Sequence, residues 1–139
     1  MEDPRFGVWN VLHDGEITAL GREEPTTLVI FVTIPYLRER IEPLGDSLCL
    51  RLRGCRRLEF AGAGAQSSTS PREIAMQRLW ILSTDSEAMP VKIVTPSGFL
   101  ILDFDAVDIS LDTGQPLTYD ELCRVCGEYW DEWSARGKA

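Results

Sequence analysis

The sequence predicts an α+β fold that is mostly β, with one antiparallel sheet or open barrel of about six to eight strands and a C-terminal amphipathic helix packed on it. Three observations support this prediction. Short segments alternate apolar with polar residues, Gly and Pro separate these segments, and the last segment has a helical period instead. The length of 139 residues is close to the commonest domain size, so we expect a single domain over residues 1–139.

The first half of the chain contains two clear strand predictions. Residues 15–20 form a short alternating run. Residues 26–34 form a longer run in which both sets of alternating side chains are apolar or β-branched. A strand of the second kind is typical of a central position in which both faces are covered. Pro35 ends this strand, because proline cannot donate a ladder hydrogen bond.

Residues 47–60 are interpreted as one long strand. Its leucines and Phe60 all have even numbers, and side chains of one parity share a face of a strand. Gly54 then marks a bend. The alternative is a hairpin that turns at Gly54 and Cys55, since glycine suits the first central position of a type II′ turn.

Three further strands are expected at residues 78–84, 90–95 and 98–104. Between the last two, Pro96 and Gly98 occupy the second and fourth positions of a four-residue turn. That placement is typical of a type I turn, so we expect the two strands to form a hairpin.

Residues 61–71 form the one low-complexity segment of the chain. Their small and polar side chains bury too little surface to offset the entropy lost on ordering. Strand-like segments lie on both sides, so we predict a flexible loop inside the domain.

The C-terminal segment predicts a helix over residues 118–136. Thr118 and Glu121 have the spacing of a capping box, in which each side chain accepts a hydrogen bond from the backbone of the other. Apolar residues then recur at helical spacing, and we expect this stripe to lie against the sheet. The stripe consists of Leu122, Val125, Cys126, Tyr129, Trp130 and Trp133.

The charge balance limits the classes of partner. The chain has 22 acidic and 14 basic side chains and a net charge of −8. Such a protein repels nucleic acid and anionic membranes, and it favours a basic protein partner. The acidic N-terminus lacks the basic and apolar regions of a secretory signal, which predicts a bacterial-type cytoplasmic location with reduced cysteines.

His13 is the only histidine, so zinc sites that need two histidines cannot be assembled. A hydrolase that uses His13 as a general base remains an alternative. No Gly-x-Ser-x-Gly nucleophile motif accompanies it. The favoured interpretation is structural: His13 and Asp14 lead through Gly15 into the first strand.

The remaining chemical motifs also favour structural roles. Cys123 and Cys126 form a C-x-x-C pair, but Cys123 lies more than one turn inside the predicted helix, away from the N-terminal position that activates redox thiols. Zinc would require Cys49 and Cys55 to approach each other through a fold at Gly54. We therefore predict no metal and no cofactor.

A cluster of arginines interrupts the acidic sequence. In a continuous strand, Arg51, Arg53 and Arg57 share one face. Such a face could hold a phosphate or carboxylate through bidentate hydrogen bonds. The competing interpretation is a solvated surface whose arginines pair with neighbouring acids.

The motif His13-Asp14-Gly15-x-Ile17, followed by a pair of strands, resembles several uncharacterised bacterial β-rich domains. Some of those are similar to immunity proteins of polymorphic toxin systems. The resemblance covers residues 9–34. It implies an acidic, cytoplasmic, non-enzymatic protein that acts by covering a toxin, and it assigns no contact residues.

These observations lead to three hypotheses. The first is a non-enzymatic binding module that covers a basic protein partner, with a homo-oligomer also compatible with the sequence. The second is a domain that binds a small ligand or anion on the face of Arg51, Arg53 and Arg57. The third is a hydrolase centred on His13.

Overall fold

The structure is a computed structural model that describes residues 3–62 and 67–137. Four helices and nine strands are present in these residues. The helices are α1 (Pro4–Val11), α2 (Pro35–Arg38), α3 (Pro71–Met76) and α4 (Tyr119–Gly137). The strands are β1 (Glu16–Glu24), β2 (Thr27–Thr33), β3 (Ser47–Arg53), β4 (Arg57–Gly62), β5 (Ser67–Ser68), β6 (Val91–Thr95), β7 (Gly98–Asp103), β8 (Ala106–Leu111) and β9 (Pro116–Leu117).

The strands form two antiparallel sheets. The larger sheet has the order β1-β2-β3-β8-β9, and the smaller has the order β5-β4-β7-β6. The chain passes from the larger sheet to the smaller between β3 and β4, and returns between β7 and β8. The mostly β, α+β class with a terminal helix is confirmed, with the strands divided between two sheets.

Alternation along β2 and β3 produces the core face of the larger sheet. Leu28, Ile30 and Val32 on β2 are fully buried. They lie opposite Leu52, Leu50 and Leu48 of β3, respectively. Together with Leu100 and Leu102 of the smaller sheet and Trp9 of α1, these residues belong to one continuous hydrophobic core.

The prediction of one strand over residues 47–60 was wrong, and so was the hairpin alternative. β3 pairs with β2 and β8, whereas β4 pairs with β5 and β7. Gly54 has φ of +66°, a conformation that side chains disfavour, and it turns the chain out of the larger sheet. The Cys55 N–H donates to the Thr26 carbonyl and the Arg56 N–H to the Asp103 carbonyl, which fixes this corner.

The hairpin predicted at Pro96 is confirmed, because β6 and β7 pair directly and Thr95 lies opposite Gly98. The strand predicted at residues 78–84 was wrong. That segment makes only isolated bridges, at Trp80 and Ser83. Its alternating apolar residues are nevertheless used for burial, since Leu79 and Ile81 lie in the core.

Two short helices were missed by the sequence analysis. Asp3 caps α1 and Ser70 caps α3, and proline follows the cap in both helices. Capping residue and proline together are a helix-start signal. Within the predicted loop 61–71, residues 63–66 lie outside the described residues, but Ser67–Ser68 form β5 and Pro71 begins α3. That part of the loop prediction was wrong.

The C-terminal helix is confirmed as α4. Thr118 Oγ1 accepts a hydrogen bond from the Glu121 N–H at 3.1 Å, and Glu121 Oε1 accepts one from the Thr118 N–H at 3.3 Å, which completes the predicted capping box. Leu122 and Val125 pack into the core from this helix. Within the part of the chain that the structure describes, no helix is both long and apolar enough to cross a membrane.

A buried arginine joins four segments of the fold. The Arg38 side chain, at the end of α2, is 0% exposed, and its Nε donates to Asp112 Oδ1 at 2.9 Å. The Nη1 and Nη2 groups of Arg38 donate hydrogen bonds to the carbonyls of Glu42 and Leu44, respectively. Asp112 Oδ2 in turn accepts from the N–H groups of Asp46 and Ser47, each at 3.1 Å.

This arrangement shifts the pKa of Asp112. Burial alone raises the pKa of a carboxyl, but the hydrogen bond from the Asp46 N–H, the Arg38 guanidinium and the Ser47 N–H together outweigh burial. The pKa of Asp112 is therefore lowered. The folded state holds this carboxylate ionised at pH values where the unfolded chain would begin to protonate it.

Replacing Arg38 with methionine is expected to lower the free energy of unfolding by about 3 kcal/mol, because it leaves the Asp112 carboxylate without its cation. Urea unfolding measures the change. Arg53→Met is the matched control. Its ion pair with Asp108 is more than half exposed on both sides, so a loss below about 1 kcal/mol is expected. Equal losses in the two variants would contradict the central role of Arg38.

The lowered pKa of Asp112 also predicts an acid dependence. The contribution of this carboxylate is complete above about pH 4, the ordinary range of an aspartate, and is lost as the pH falls through the folded-state pKa. Unfolding free energies measured between neutral and acidic pH should fall less steeply in Asp112→Asn than in the wild type. A variant slope identical to the wild-type slope would show that other carboxyls carry the acid sensitivity.

Candidate protein-binding surface

The apolar stripe of α4 extends beyond the core. Leu122 is fully buried and Val125 is 8% exposed, whereas Trp130 is 38% and Trp133 is 59% exposed. All four belong to the stripe that helical periodicity predicts for burial. The expectation that the whole stripe lies against the sheet was wrong, because Trp130 and Trp133 in the last turns are exposed.

Aromatic side chains from two elements meet at this end of α4. The ring centroids of Tyr36 and Tyr129 are 4.6 Å apart, and those of Tyr129 and Trp130 are 5.1 Å apart. Trp133 adds a further ring, 5.9 Å from Trp130 and edge-on to it. Distances of this size are typical of favourable edge-to-face contacts. We call these four residues the aromatic surface.

Tyr36 fixes the position of the aromatic surface on the rest of the protein. Its hydroxyl donates to the His13 carbonyl at 2.7 Å, which links α2 to the turn after α1. Burial raises the pKa of Tyr36 well above its ordinary value, so the hydroxyl remains a neutral donor at physiological pH. Cys126 of α4 packs against the end of α1, with its thiol directed at the Val11 carbonyl.

Carboxylates border the aromatic surface. Asp14 is 57% exposed and lies 3.5 Å from the His13 imidazole. Glu132 pairs with Arg40, whose guanidinium carbon lies 5.3 Å from the centre of the Tyr129 ring. Along its whole length, α4 contains five acidic and two basic side chains. The acids are Asp120, Glu121, Glu128, Asp131 and Glu132, and the bases are Arg124 and Arg136.

His13 lies at the edge of this surface. Its side chain is 43% exposed, contacts the Asp14 carboxylate and has its ring centroid 6.4 Å from that of Trp130. Asp14 has φ of +69°, which reverses the chain between α1 and β1. Within residues 3–62 and 67–137, the His13 imidazole thus contacts the Asp14 carboxylate and the Trp130 ring.

The three arginines of the predicted anion site do not share a face. Arg51 and Arg53 lie on β3 in the larger sheet, whereas Arg57 lies on β4 in the smaller sheet. Each arginine already pairs with a carboxylate. The pairs are Arg51 with Glu23 at 2.9 Å, Arg53 with Asp108 at 2.7 Å and Arg57 with Glu59 at 2.7 Å.

The cysteines form no cluster in the described chain. Cys49, Cys55, Cys123 and Cys126 are all free thiols. Burial raises the pKa of Cys126, which lowers the fraction of reactive thiolate at neutral pH. Among residues 3–62 and 67–137, no group of three or more His, Cys, Asp or Glu side chains is arranged to hold a metal ion.

An open cleft of about 500 Å³ lies along α1. Asp3, Arg5 and Asn10 line one side, and Thr84 and Glu87 line the other. Its polar groups are largely committed to one another. Arg5 pairs with Asp3, and the Asn10 amide bonds both the N–H and the carbonyl of Thr84. His13 is not among the residues that line this cleft.

Comparison of the chain with protein families, with curated proteins and with solved structures finds no match at a significant level. The resemblance to immunity proteins therefore stays a prediction. The candidate surface rests on the geometry of the chain itself.

The exposure of Trp133 gives a test of the surface. Trp133→Ala should change the free energy of unfolding by less than about 0.5 kcal/mol, because the residue is largely exposed. Leu122→Ala, on the same stripe, should lower it by about 2 to 5 kcal/mol because it creates a buried cavity. Urea unfolding distinguishes the two. A large loss in Trp133→Ala would mean that this side chain is part of the core and not a free surface.

Proposed function

We propose that this chain is a non-enzymatic binding module, similar in its action to an immunity protein, which covers a basic protein partner with the aromatic surface of α4. The observation that carries the proposal is the exposure of Trp133. This residue continues the stripe that begins with buried Leu122 and Val125, yet 59% of its surface faces solvent.

The residue types support binding to a protein. Trp and Tyr are enriched at the energetic centres of interfaces, because a large ring buries much apolar area with little loss of side-chain entropy. Trp130 has ring contacts with Tyr36 and Tyr129, and Trp133 contacts Trp130 in turn. A partner would therefore meet a surface that needs little ordering, which favours affinity.

The charges support a basic partner. The net charge of −8 steers a cationic protein toward the chain. The exposed carboxylate of Asp14 lies 3.5 Å from the His13 imidazole, whose ring centroid is 6.4 Å from that of Trp130, so it adds to that field near the aromatic surface. The same charges disfavour self-association through this surface, since two copies would bring like charges together. A basic protein is consequently the occupant that the surface fits best.

The two rival functions have less support. An anion-binding domain would need Arg51, Arg53 and Arg57 to exchange the carboxylates that they already bind. A hydrolase would need a nucleophile and a substrate cleft beside His13. The His13 side chain instead contacts the Asp14 carboxylate and the ring of Trp130. We also propose a cytoplasmic location, for which the four free cysteines are supporting evidence.

Tagged wild-type protein, used as bait in a lysate of its native host, should retain a basic protein at low salt and release it at high salt. The double variant Glu128→Lys/Asp131→Lys should retain less of the same protein, and so should Trp133→Ala. With the purified partner, we expect the Trp133→Ala variant to bind at least about tenfold more weakly, as is typical of an interface tryptophan.

Phe99→Ala is the matched control. Phe99 is also a partly exposed aromatic residue, at 38%, but it lies on β7 and stacks on Lys92. The Phe99→Ala variant should bind the partner as tightly as the wild type does. If no basic protein is retained, or if Phe99→Ala and Trp133→Ala lose it equally, the aromatic surface is not the binding site.

A further inference from the structure

A cation of the chain itself already lies on the aromatic surface. Arg40, in the turn after α2, has its guanidinium carbon 5.3 Å from the centre of the Tyr129 ring and forms an ion pair with Glu132. Tyr129 and Glu132 are three residues apart on α4, so their side chains are neighbours on the surface of this helix. We call the Tyr129 ring and the Glu132 carboxylate together the cation position.

The cation position combines two ways of holding a guanidinium group. An aromatic ring attracts a cation that lies within about 6 Å of its centre. A carboxylate accepts hydrogen bonds from the guanidinium fork. An ammonium group has no planar fork and does not stack on a ring, so the position suits arginine better than lysine. The contacts of Arg40 thus indicate which chemistry this part of the aromatic surface accepts.

The Arg40 side chain is free to exchange. It is 26% exposed and the Glu132 side chain is 54% exposed, and ion pairs that reach solvent contribute little to stability. The backbone of Arg40 is anchored separately, because its N–H donates to the Leu37 carbonyl at 3.2 Å. The side chain can therefore swing into solvent by rotation about its own bonds, without movement of α2 or α4. The fully buried Arg38 has no such freedom.

We propose that Arg40 takes the place of an arginine of the basic partner, and that the partner's guanidinium displaces it from the cation position when the complex forms. This inference rests on the proposed function and names the side chain by which the partner is recognised. The exchange conserves charge at the site. The arriving arginine contacts Glu132 and the Tyr129 ring, and the Arg40 guanidinium becomes hydrated instead.

Displacement makes the aromatic surface selective. A ligand must bring a cation that binds Glu132 and Tyr129 at least as well as Arg40 does, and it gains further affinity only if it also covers the neighbouring ring of Trp130, 5.1 Å from that of Tyr129. A cation without such additional contacts gains little by the exchange. Arg40 therefore lowers the affinity of every basic ligand, and only a partner that covers the tryptophans overcomes this loss.

Removal of Arg40 also makes the chain more acidic, and the added negative charge alone favours a basic ligand. Arg124 provides the matched control for this effect, because it is an exposed arginine of α4 itself. Arg124→Met changes the net charge by the same amount as Arg40→Met, but it leaves Arg40 on Tyr129 and Glu132. The difference between the two variants therefore measures the cation position and not the overall charge.

Isothermal titration calorimetry with a capped hexa-arginine peptide tests the exchange. Arg40→Met should bind this peptide at least about threefold more tightly than Arg124→Met does, because only the first variant opens the cation position. A capped hexa-lysine peptide should show a smaller difference between the two variants. Arg40→Gln removes the same charge and serves if the methionine variant does not fold. Circular dichroism verifies folding in each case.

Glu132→Gln, added to Arg40→Met, should remove most of the gain, whereas Glu87→Gln, at an exposed acid of the cleft along α1, should preserve it. Equal binding of hexa-arginine by Arg40→Met and Arg124→Met overturns the inference, and so does a gain that survives Glu132→Gln. If Trp133→Ala still loses the basic protein in that case, the proposed function stands and Arg40 is a fixed part of the surface. A basic protein that Trp133→Ala retains as well as the wild type does would instead remove the proposed function, and this inference with it.

Discussion

The contact between Arg38 and Asp112 fixes the relation between the larger sheet and the elements that carry the aromatic surface. The Arg38 guanidinium is fully buried, and it donates a hydrogen bond to Asp112, which lies 74 positions later in the sequence. A Cβ on Gly45 would meet both Arg38 and Asp112, so only glycine lets the loop close over the pair. A buried charge of this kind tolerates only an arrangement in which its donors are satisfied.

The same contact positions the aromatic surface. Tyr36 and Arg40 lie two residues on either side of Arg38, and both contact α4 through Tyr129. Because Arg38 cannot move away from Asp112 without leaving a buried charge unpaired, Tyr36 and Arg40 are held in the positions where they contact α4. The ion pair thus acts on the surface indirectly, by supporting the side chains that hold the helix end.

Local patterns predicted the elements whose signals are local. The capping box at Thr118, the hairpin at Pro96 and the alternation of β2 all follow from residues within a few positions of one another. The break at Gly54 was missed because the apolar parity of residues 47–60 is the same in one strand or in two, and parity says nothing of which sheet a strand joins.

Long-range features were beyond the reach of such patterns. Helical period predicts that Trp133 shares a face with Leu122, but not how far the elements beneath the helix extend. The burial of Arg38 depends on Asp112, which no local pattern connects to it. Arg57 was assigned to the face of Arg51 and Arg53 for a related reason, since that assignment assumed a straight chain through the corner.

The strand order has a consequence for how the chain acquires its structure. β3 is completed by β8, and β4 is completed by β7, so each sheet contains strands from both halves of the sequence. Neither half can seal a sheet by itself, and pairing between distant segments makes folding slow. During synthesis, β3 and β4 must therefore wait with open edges until the ribosome has released residues 98–111, an interval in which protection by chaperones would be most useful.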